Sequence, residues 1–285
     1  MKTFKICKNR LKEAMHLPYF VVGALGVLLL CLNSEVMRDS GGKTITVIGM
    51  FLSGKGKDYY LENDIHLIRL STTCFSDWFC IFCPAFASIG YAIVHSEENR
   101  NNTRISILTR EGYFNNTLGK AVSCMFSCGI VMAAGYILYV LICFCFLPSL
   151  SEFDAQSVER YIQVEGNKNL LMYFVFKILK IMVSGMIAGS MTFLGSAFFK
   201  DRYILVFFPV LLSYSYRQII KMLYMNMMEK GKFETGIRIL DYDYFSVIRN
   251  KNDMMIRYVI VWLLLTILFG FVYFAICRKG GKSGK

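Results

Sequence analysis

The sequence predicts an all-α integral membrane protein that crosses the bilayer six times. The first observation is a series of long apolar stretches separated by charged connectors. A bilayer core takes about 20 apolar helical residues to cross, and each stretch is near or above that length. The second observation is the composition, in which 55% of the residues are hydrophobic and 18% are charged. The third is that the stretches are uniformly apolar, whereas barrel strands alternate over about ten residues.

The predicted spans lie near residues 17–33, 70–95, 121–149, 169–199, 203–226 and 256–277. Pro18 opens the first span, where a helix tolerates proline. Pro84 and Pro209 lie inside the second and fifth spans and predict kinks there. The spans leave no room for a separate soluble catalytic domain, so we interpret residues 1–285 as a single transmembrane domain.

The segment before the first span is basic and carries an apolar stripe. Phe4, Cys7, Leu11 and Met15 recur at helical spacing among the lysines and arginines of residues 1–16. This pattern predicts an amphipathic helix that lies on the membrane surface.

The net charge of +12 points to membrane topology and not to a nucleic-acid partner. With six spans, both termini and two of the connectors lie on the same side of the membrane. Those segments are strongly basic, whereas the three connectors on the other side are almost balanced in charge. Because Lys and Arg accumulate on the cytoplasmic side, the sequence predicts that both termini are inside.

The connector between the second and third spans is the best candidate for a functional segment. It runs from Ser96 to Lys120, far longer than a simple crossover requires. Ser96 is a suitable N-cap, and Glu97 and Glu98 would lie near the positive end of a helix dipole.

A short apolar face follows within the same connector. Ile105 and Leu108 would lie beside Arg104 and Arg110 on a short amphipathic helix at the membrane surface. Such a helix either docks a partner or only anchors the loop, and the residues alone do not separate these alternatives.

This connector resembles that of the permease subunits of type-2 class ABC exporters. The shared pattern is E-E-x-x-x-x-T-x-x-x-x-x-x-R, with a lysine opening the next span, and the six-span layout is similar too. In that family the connector holds a coupling helix that sits in a groove of the ATP-binding subunit. The residues that the resemblance assigns to coupling are Glu97, Glu98, Thr103, Arg104, Leu108, Arg110 and Lys120.

The resemblance implies a bacterial plasma-membrane exporter that moves a peptide, drug or lipid-like substrate. Two permease subunits, identical or different, would pair above two ATP-binding subunits, which would hold ATP and Mg²⁺. The chain itself would then be no enzyme, with no catalytic residue, cofactor or metal. One alternative is a non-transporting immunity or sensor-associated membrane protein. A secondary transporter is another, but it would require a repeat that the sequence does not show.

One motif is misleading. Residues 49–55 fit the phosphate-loop pattern G-x-x-x-x-G-K, but Gly56 stands where a Ser or Thr hydroxyl should reach magnesium. The predicted topology also puts these residues outside the cell, away from ATP. We therefore expect no nucleotide site in this chain.

Apart from Arg257 at the very start of the sixth span, five charged residues fall inside predicted spans, all in the outer half of the membrane: Asp77, Lys177, Lys180, Arg217 and Lys221. Charges at that depth are costly, so they pair, line a wet cavity or reach out to the headgroups. One interpretation is that the three lysines snorkel. The other is that Asp77 pairs with Arg217 or Lys177.

Two further patterns concern packing. Gly185 and Gly189 form a G-x-x-x-G in the fourth span, which favours close approach of another helix. Cys80 and Cys83 form a C-x-x-C inside the second span without a partnering histidine, which favours a packing role over a metal site.

Overall fold

The computed structural model describes residues 2–38, 42, 44–75, 77–100, 113–164, 169–235, 260, 264, 266–273 and 275. Within them the chain is almost entirely helical. The helices are α1 (Lys2–Ala14), α2 (Leu17–Leu32), α3 (Val47–Leu52), α4 (Lys57–Glu62), α5 (Leu67–Thr73), α6 (Asp77–Arg100), α7 (Tyr113–Phe146), α8 (Ala155–Val164), α9 (Leu170–Gly195) and α10 (Arg202–Glu229). A 3₁₀ turn covers Leu150–Glu152, and residues 266–273 are helical.

Four of the described helices are long and apolar enough to cross a membrane, namely α6, α7, α9 and α10. A fifth span is reached only if α1 and α2 are taken together, across a bend of 63°. The predicted class, an all-α membrane protein, is confirmed. The described helices supply four or five of the six predicted spans, and half of the sixth, 256–277, lies outside the described residues.

The second predicted span begins later than expected. The apolar run from residue 70 does not continue into one helix, because α5 ends at Thr73 and α6 starts at Asp77. The His66 side chain caps α5 by accepting a hydrogen bond from the Arg69 N–H at 3.2 Å. Ile68 and Leu70 of α5 are fully buried. The apolar residues here therefore pack into the protein core and are not part of the membrane-spanning helix α6.

A two-stranded antiparallel hairpin follows α2. Strand β1 (Glu35–Arg38) pairs with β2 (Thr44–Thr46), in the register Glu35↔Thr46 and Arg38↔Thr44. The sequence did not predict this hairpin, because three residues of β-branched alternation are too short a signal. The hairpin, α3, α4, α5 and α8 lie at one end of the long helices, which we call the hairpin end. The opposite end, where α1 meets the end of α6 and the start of α7, is the α1 end.

Helix α7 occupies the centre of the bundle, with α9, α1 and α2 packed against it, while α10 packs mainly on α6. Glycines permit the closest crossings. A Cβ at Gly135 would lie 2.7 Å from the Ala24 carbonyl oxygen, and one at Gly23 would lie 2.9 Å from that of Phe86. The backbones therefore approach as closely as small residues allow.

The outward faces of the long helices are apolar and exposed. Leu141, Phe144, Leu171, Leu211 and Met222 each expose more than half of their surface. A soluble protein rarely shows so much contiguous apolar surface, whereas lipid requires it. The structure is thus that of a protein embedded in a membrane.

Candidate functional site

An ionic cluster at the α1 end joins three helices. The Glu98 carboxylate, in the last turn of α6, pairs with the Arg10 guanidinium of α1 and accepts a hydrogen bond from Lys120 Nζ of α7 at 2.5 Å. Tyr91 and His95 of α6 complete this cluster, which we call the Glu98 junction. Glu98 and Lys120 lie at the two ends of the Ser96–Lys120 connector that the sequence analysis singled out.

Helical spacing explains why these side chains meet. Tyr91, His95 and Glu98 stand at i, i+4 and i+7, so α6 presents all three on one face. On α1, Arg10 is one turn beyond Ile6, whose methyl group would lie 2.7 Å from a Cβ at Gly119. The absence of a side chain at Gly119 therefore lets α1 come close enough for Arg10 to reach Glu98.

The junction is withdrawn from solvent. The Arg10 and Glu98 side chains are each 10% exposed and that of Lys120 is 3% exposed. The rings of Tyr91 and His95 stack at 5.9 Å with an angle of 15° between their planes. A small cavity lies among these residues and Val94.

The contacts of the junction link three helices. A carboxylate held by two cations at low exposure forms short, charge-assisted contacts. In the described part of the chain, no group of three His, Cys, Asp or Glu side chains could hold a metal ion. What the arrangement can do is keep α1, α6 and α7 together.

The seven predicted coupling residues divide into three groups. Glu98 and Lys120 are buried and bonded to each other, whereas Glu97 is exposed on the same turn of α6. The remaining four, Thr103, Arg104, Leu108 and Arg110, lie outside the described residues. Their assignment to coupling stays a prediction.

Two of the predicted intramembrane charges are fully enclosed by protein. Lys177 and Lys180 of α9 are 1% and 0% exposed, so neither snorkels to the headgroups. The Lys177 ammonium lies 5.1 Å from the ring centre of Phe75 and 5.8 Å from that of Tyr173, within the range of cation–π contacts.

Hydroxyl groups tie the same region to the structure at the hairpin end. The Tyr173 and Ser71 hydroxyls are 2.7 Å apart, which joins α9 to α5. The Tyr139 hydroxyl of α7 donates to the Leu70 carbonyl at 3.1 Å. Helices α7 and α9 are therefore both hydrogen-bonded to α5.

Two of the other three predicted charges are less enclosed. Arg217 is half-buried and Lys221 is exposed, both on α10. Asp77 is the first residue of α6, and its side chain lies outside the described residues. The predicted pairing of Asp77 with Arg217 or Lys177 therefore stays a prediction.

Gly185 and Gly189 lie where α9 crosses α7. A Cβ at Gly185 would be 2.7 Å from the Cys128 carbonyl oxygen, and one at Gly189 would be 2.8 Å from that of Cys124. The Cys124 thiol also donates to the Gly189 carbonyl at 3.1 Å. The two glycines thus face the interior of this subunit.

Arg10, Tyr91 and His95 are the residues of the junction that the sequence analysis did not identify. Arg10 is one of several basic residues in the predicted interfacial helix, and Tyr91 and His95 lie inside a predicted span without an assigned role. The helical spacing of Tyr91, His95 and Glu98 could have indicated a polar face on α6. The sequence does not specify that α1 packs against this face. In the structure α1 buries Ile6 and Ala14, while Phe4 of the predicted stripe is 77% exposed.

No protein-family model matches this chain, and no curated protein or solved structure matches it either.

Proposed function

We propose that the chain is the membrane-spanning permease subunit of an ATP-driven exporter that works with a separate ATP-binding subunit. The observation that carries this proposal is the Glu98 junction. It joins the two ends of the Ser96–Lys120 connector to each other and to α1. A partner that moves this connector would therefore move three helices together, as a coupling element must.

In this proposal the chain crosses the plasma membrane of a bacterium six times, with both termini in the cytosol. The support comes from charge, since the α1 end collects Lys and Arg that resist translocation. The hairpin end then faces outward. ATP and Mg²⁺ are bound and hydrolysed by the partner, and a second permease subunit, identical or different, completes the transport path.

Transmission through the membrane follows from the described contacts. Helix α7 runs from Lys120 in the junction to Tyr139, whose hydroxyl bonds to α5. These positions are 19 residues apart, which corresponds to about 28 Å along a helix. A tilt of α7 at the α1 end would thus be transmitted to the hairpin end, next to the buried Lys177 and Lys180. The substrate class remains a peptide, a drug or a lipid-like molecule.

Co-purification tests the proposal. The tagged chain, extracted from its native membrane in mild detergent, is expected to retain an ATP-binding protein identified by mass spectrometry. Glu97→Ala and Arg110→Ala change the proposed docking surface and are expected to weaken this association. Glu13→Ala, an exposed acidic residue on α1, serves as the matched control and is expected to retain the partner.

Two results would overturn the proposal. If no ATP-binding protein accompanies the intact chain, the non-transporting immunity or sensor-associated alternative is favoured. If the partner is retained but Glu97→Ala and Arg110→Ala bind it as well as Glu13→Ala does, the connector is not the docking segment.

A further inference from the structure

The short helix α3 has one buried and one exposed apolar face. Val47 and Met50 point into the protein and are fully buried, whereas Ile48 is 38% exposed and Leu52 is 81% exposed. The Thr46 hydroxyl caps the helix by accepting a hydrogen bond from the Gly49 N–H at 3.2 Å. Ile48 and Leu52 are four residues apart, so they share one exposed apolar face of α3.

The exposed face of α3 is continuous with the lipid-facing surface of α7. The Phe51 ring stacks on that of Phe146, with 4.9 Å between centroids and 20° between planes. Phe146 is the last residue of the α7 span and is 58% exposed, and Phe144 is 70% exposed. Helix α3 therefore stands at the depth where the α7 span ends.

Aromatic and polar residues near α3 indicate that this helix lies at a membrane interface. Trp78, at the matching end of α6, is 61% exposed and stacks on Phe82. Immediately after α3 the chain turns polar. Lys55 lies 3.8 Å above the Tyr59 ring, and Lys57 pairs with Glu152. An aromatic belt with apolar groups on one side and lysines on the other is typical of the headgroup level.

We infer that α3 is a lipid anchor, which inserts Leu52 and Ile48 into the phospholipid leaflet at the hairpin end. The ligand is the glycerol and upper acyl region of phospholipids, which accepts an apolar helix face at shallow depth. The anchor holds β2 and the start of α4 against the membrane. This inference rests on exposure and stacking alone and does not depend on the proposed transport function.

Fluorescence quenching by lipid tests the inference. Leu52→Trp is placed in a chain carrying Trp78→Phe and Trp262→Phe, so that it holds the single fluorophore. The protein is reconstituted in phosphatidylcholine vesicles with plain or brominated acyl chains. Brominated lipid is expected to lower the emission of L52W by at least about twofold, since an interfacial helix lies within reach of the upper acyl carbons. Asp58→Trp, at an exposed position on α4, is the matched control and is expected to be quenched by aqueous iodide instead.

The outcomes are distinguishable. If L52W responds to iodide as D58W does and not to brominated lipid, α3 lies in water and the inference fails. If L52W is shielded from both quenchers, a second copy or another protein covers α3, and the inference also fails. Ile48→Trp is measured in parallel, so that an unfolded L52W variant, detected by size-exclusion chromatography, does not decide the result.

Discussion

Glu98 is a charge that this membrane protein can bury only because two cations face it. Taking a carboxylate out of water costs several kcal/mol, and Arg10 and Lys120 offset that cost at short range. In the described part of the chain it is the one buried acidic side chain. Its removal would leave two cations enclosed beside each other.

Glu98→Ala is therefore expected to lower the free energy of unfolding by about 3–5 kcal/mol, the usual effect of removing one member of a buried ion pair. The measurement is the apparent unfolding temperature in mild detergent. Glu13→Ala is the control, because Glu13 faces the same Arg10 at 3.8 Å but is 56% exposed. Its expected effect is within about 1 kcal/mol. Equal losses in both variants would contradict the structural role of the junction.

His66 gives the structure at the hairpin end a sensitivity to acid. Burial lowers the pKa of its imidazole below the ordinary value of 6.5, with nearby Asp64 opposing and Arg69 adding to the shift. The unfolded chain then binds the proton more readily than the folded one. The contribution of neutral His66 to the free energy of unfolding is thus fully present above about pH 6.5, and it is lost as the pH drops below that value.

His66→Asn is expected to remove this pH dependence, because asparagine can still cap α5 but does not titrate. The measurement is the change in unfolding temperature between pH 7.5 and pH 5.0. The wild-type chain should lose more than the variant over that interval. Parallel curves would show that other groups control the acid response.

At the scale of elements, the contact between α7 and α9 depends on small residues. Gly185 and Gly189 leave backbone of α7 within 2.7–2.8 Å of where a Cβ would stand. Backbone atoms cannot turn aside as a flexible side chain can. The helices would have to separate to admit even one methyl group.

Gly185→Ala and Gly189→Ala are each expected to destabilise the protein by about 1–3 kcal/mol, as overpacked sites do. Gly270→Ala is the matched control, since Gly270 is also helical and, among the described residues beyond its own stretch of helix, no atom lies within 4 Å of its added Cβ. Thermal unfolding of the three variants side by side checks this. A loss at Gly270 as large as at Gly185 would indicate that the glycines act through something other than this crossing.

The long elements could be predicted from the sequence, and the short ones could not. Hydropathy places α7, α9 and α10 because length and uniform apolarity are sufficient signals for a span. The same measure merged α5 with α6, since buried core residues such as Leu70 are as apolar as lipid-facing ones. The hairpin depends on pairing between strands of a few residues, and local pattern does not reveal such pairing.

Only part of the candidate site was named from the sequence. Glu98 and Lys120 were assigned to coupling by the resemblance, and the ion pair between them was not predicted. Arg10 was not identified, because its role depends on α1 folding back onto α6 and α7. Likewise the burial of Lys177 and Lys180 follows from which face of α9 meets its neighbours, which a single sequence leaves open.

At the scale of the whole molecule, polar contacts concentrate at the two ends and small residues join the helices between them. The Glu98 junction fastens the α1 end, and the hydroxyls of Tyr139 and Tyr173 fasten the hairpin end. Helix α7 connects these two ends, from Lys120 to Tyr139. In the proposed function, this helix would pass motion from one side of the membrane to the other.

The central claim is that the connector between α6 and α7 faces the cytosol, where an ATP-binding subunit could reach it. Ser106→Cys in a chain with Cys7, Cys145 and Cys277 changed to serine, treated with a membrane-impermeant maleimide, tests this most directly. The account predicts no labelling in intact cells and full labelling after the membrane is opened, whereas Ser151→Cys at the hairpin end is labelled in both cases. Labelling of S106C from outside intact cells would contradict it.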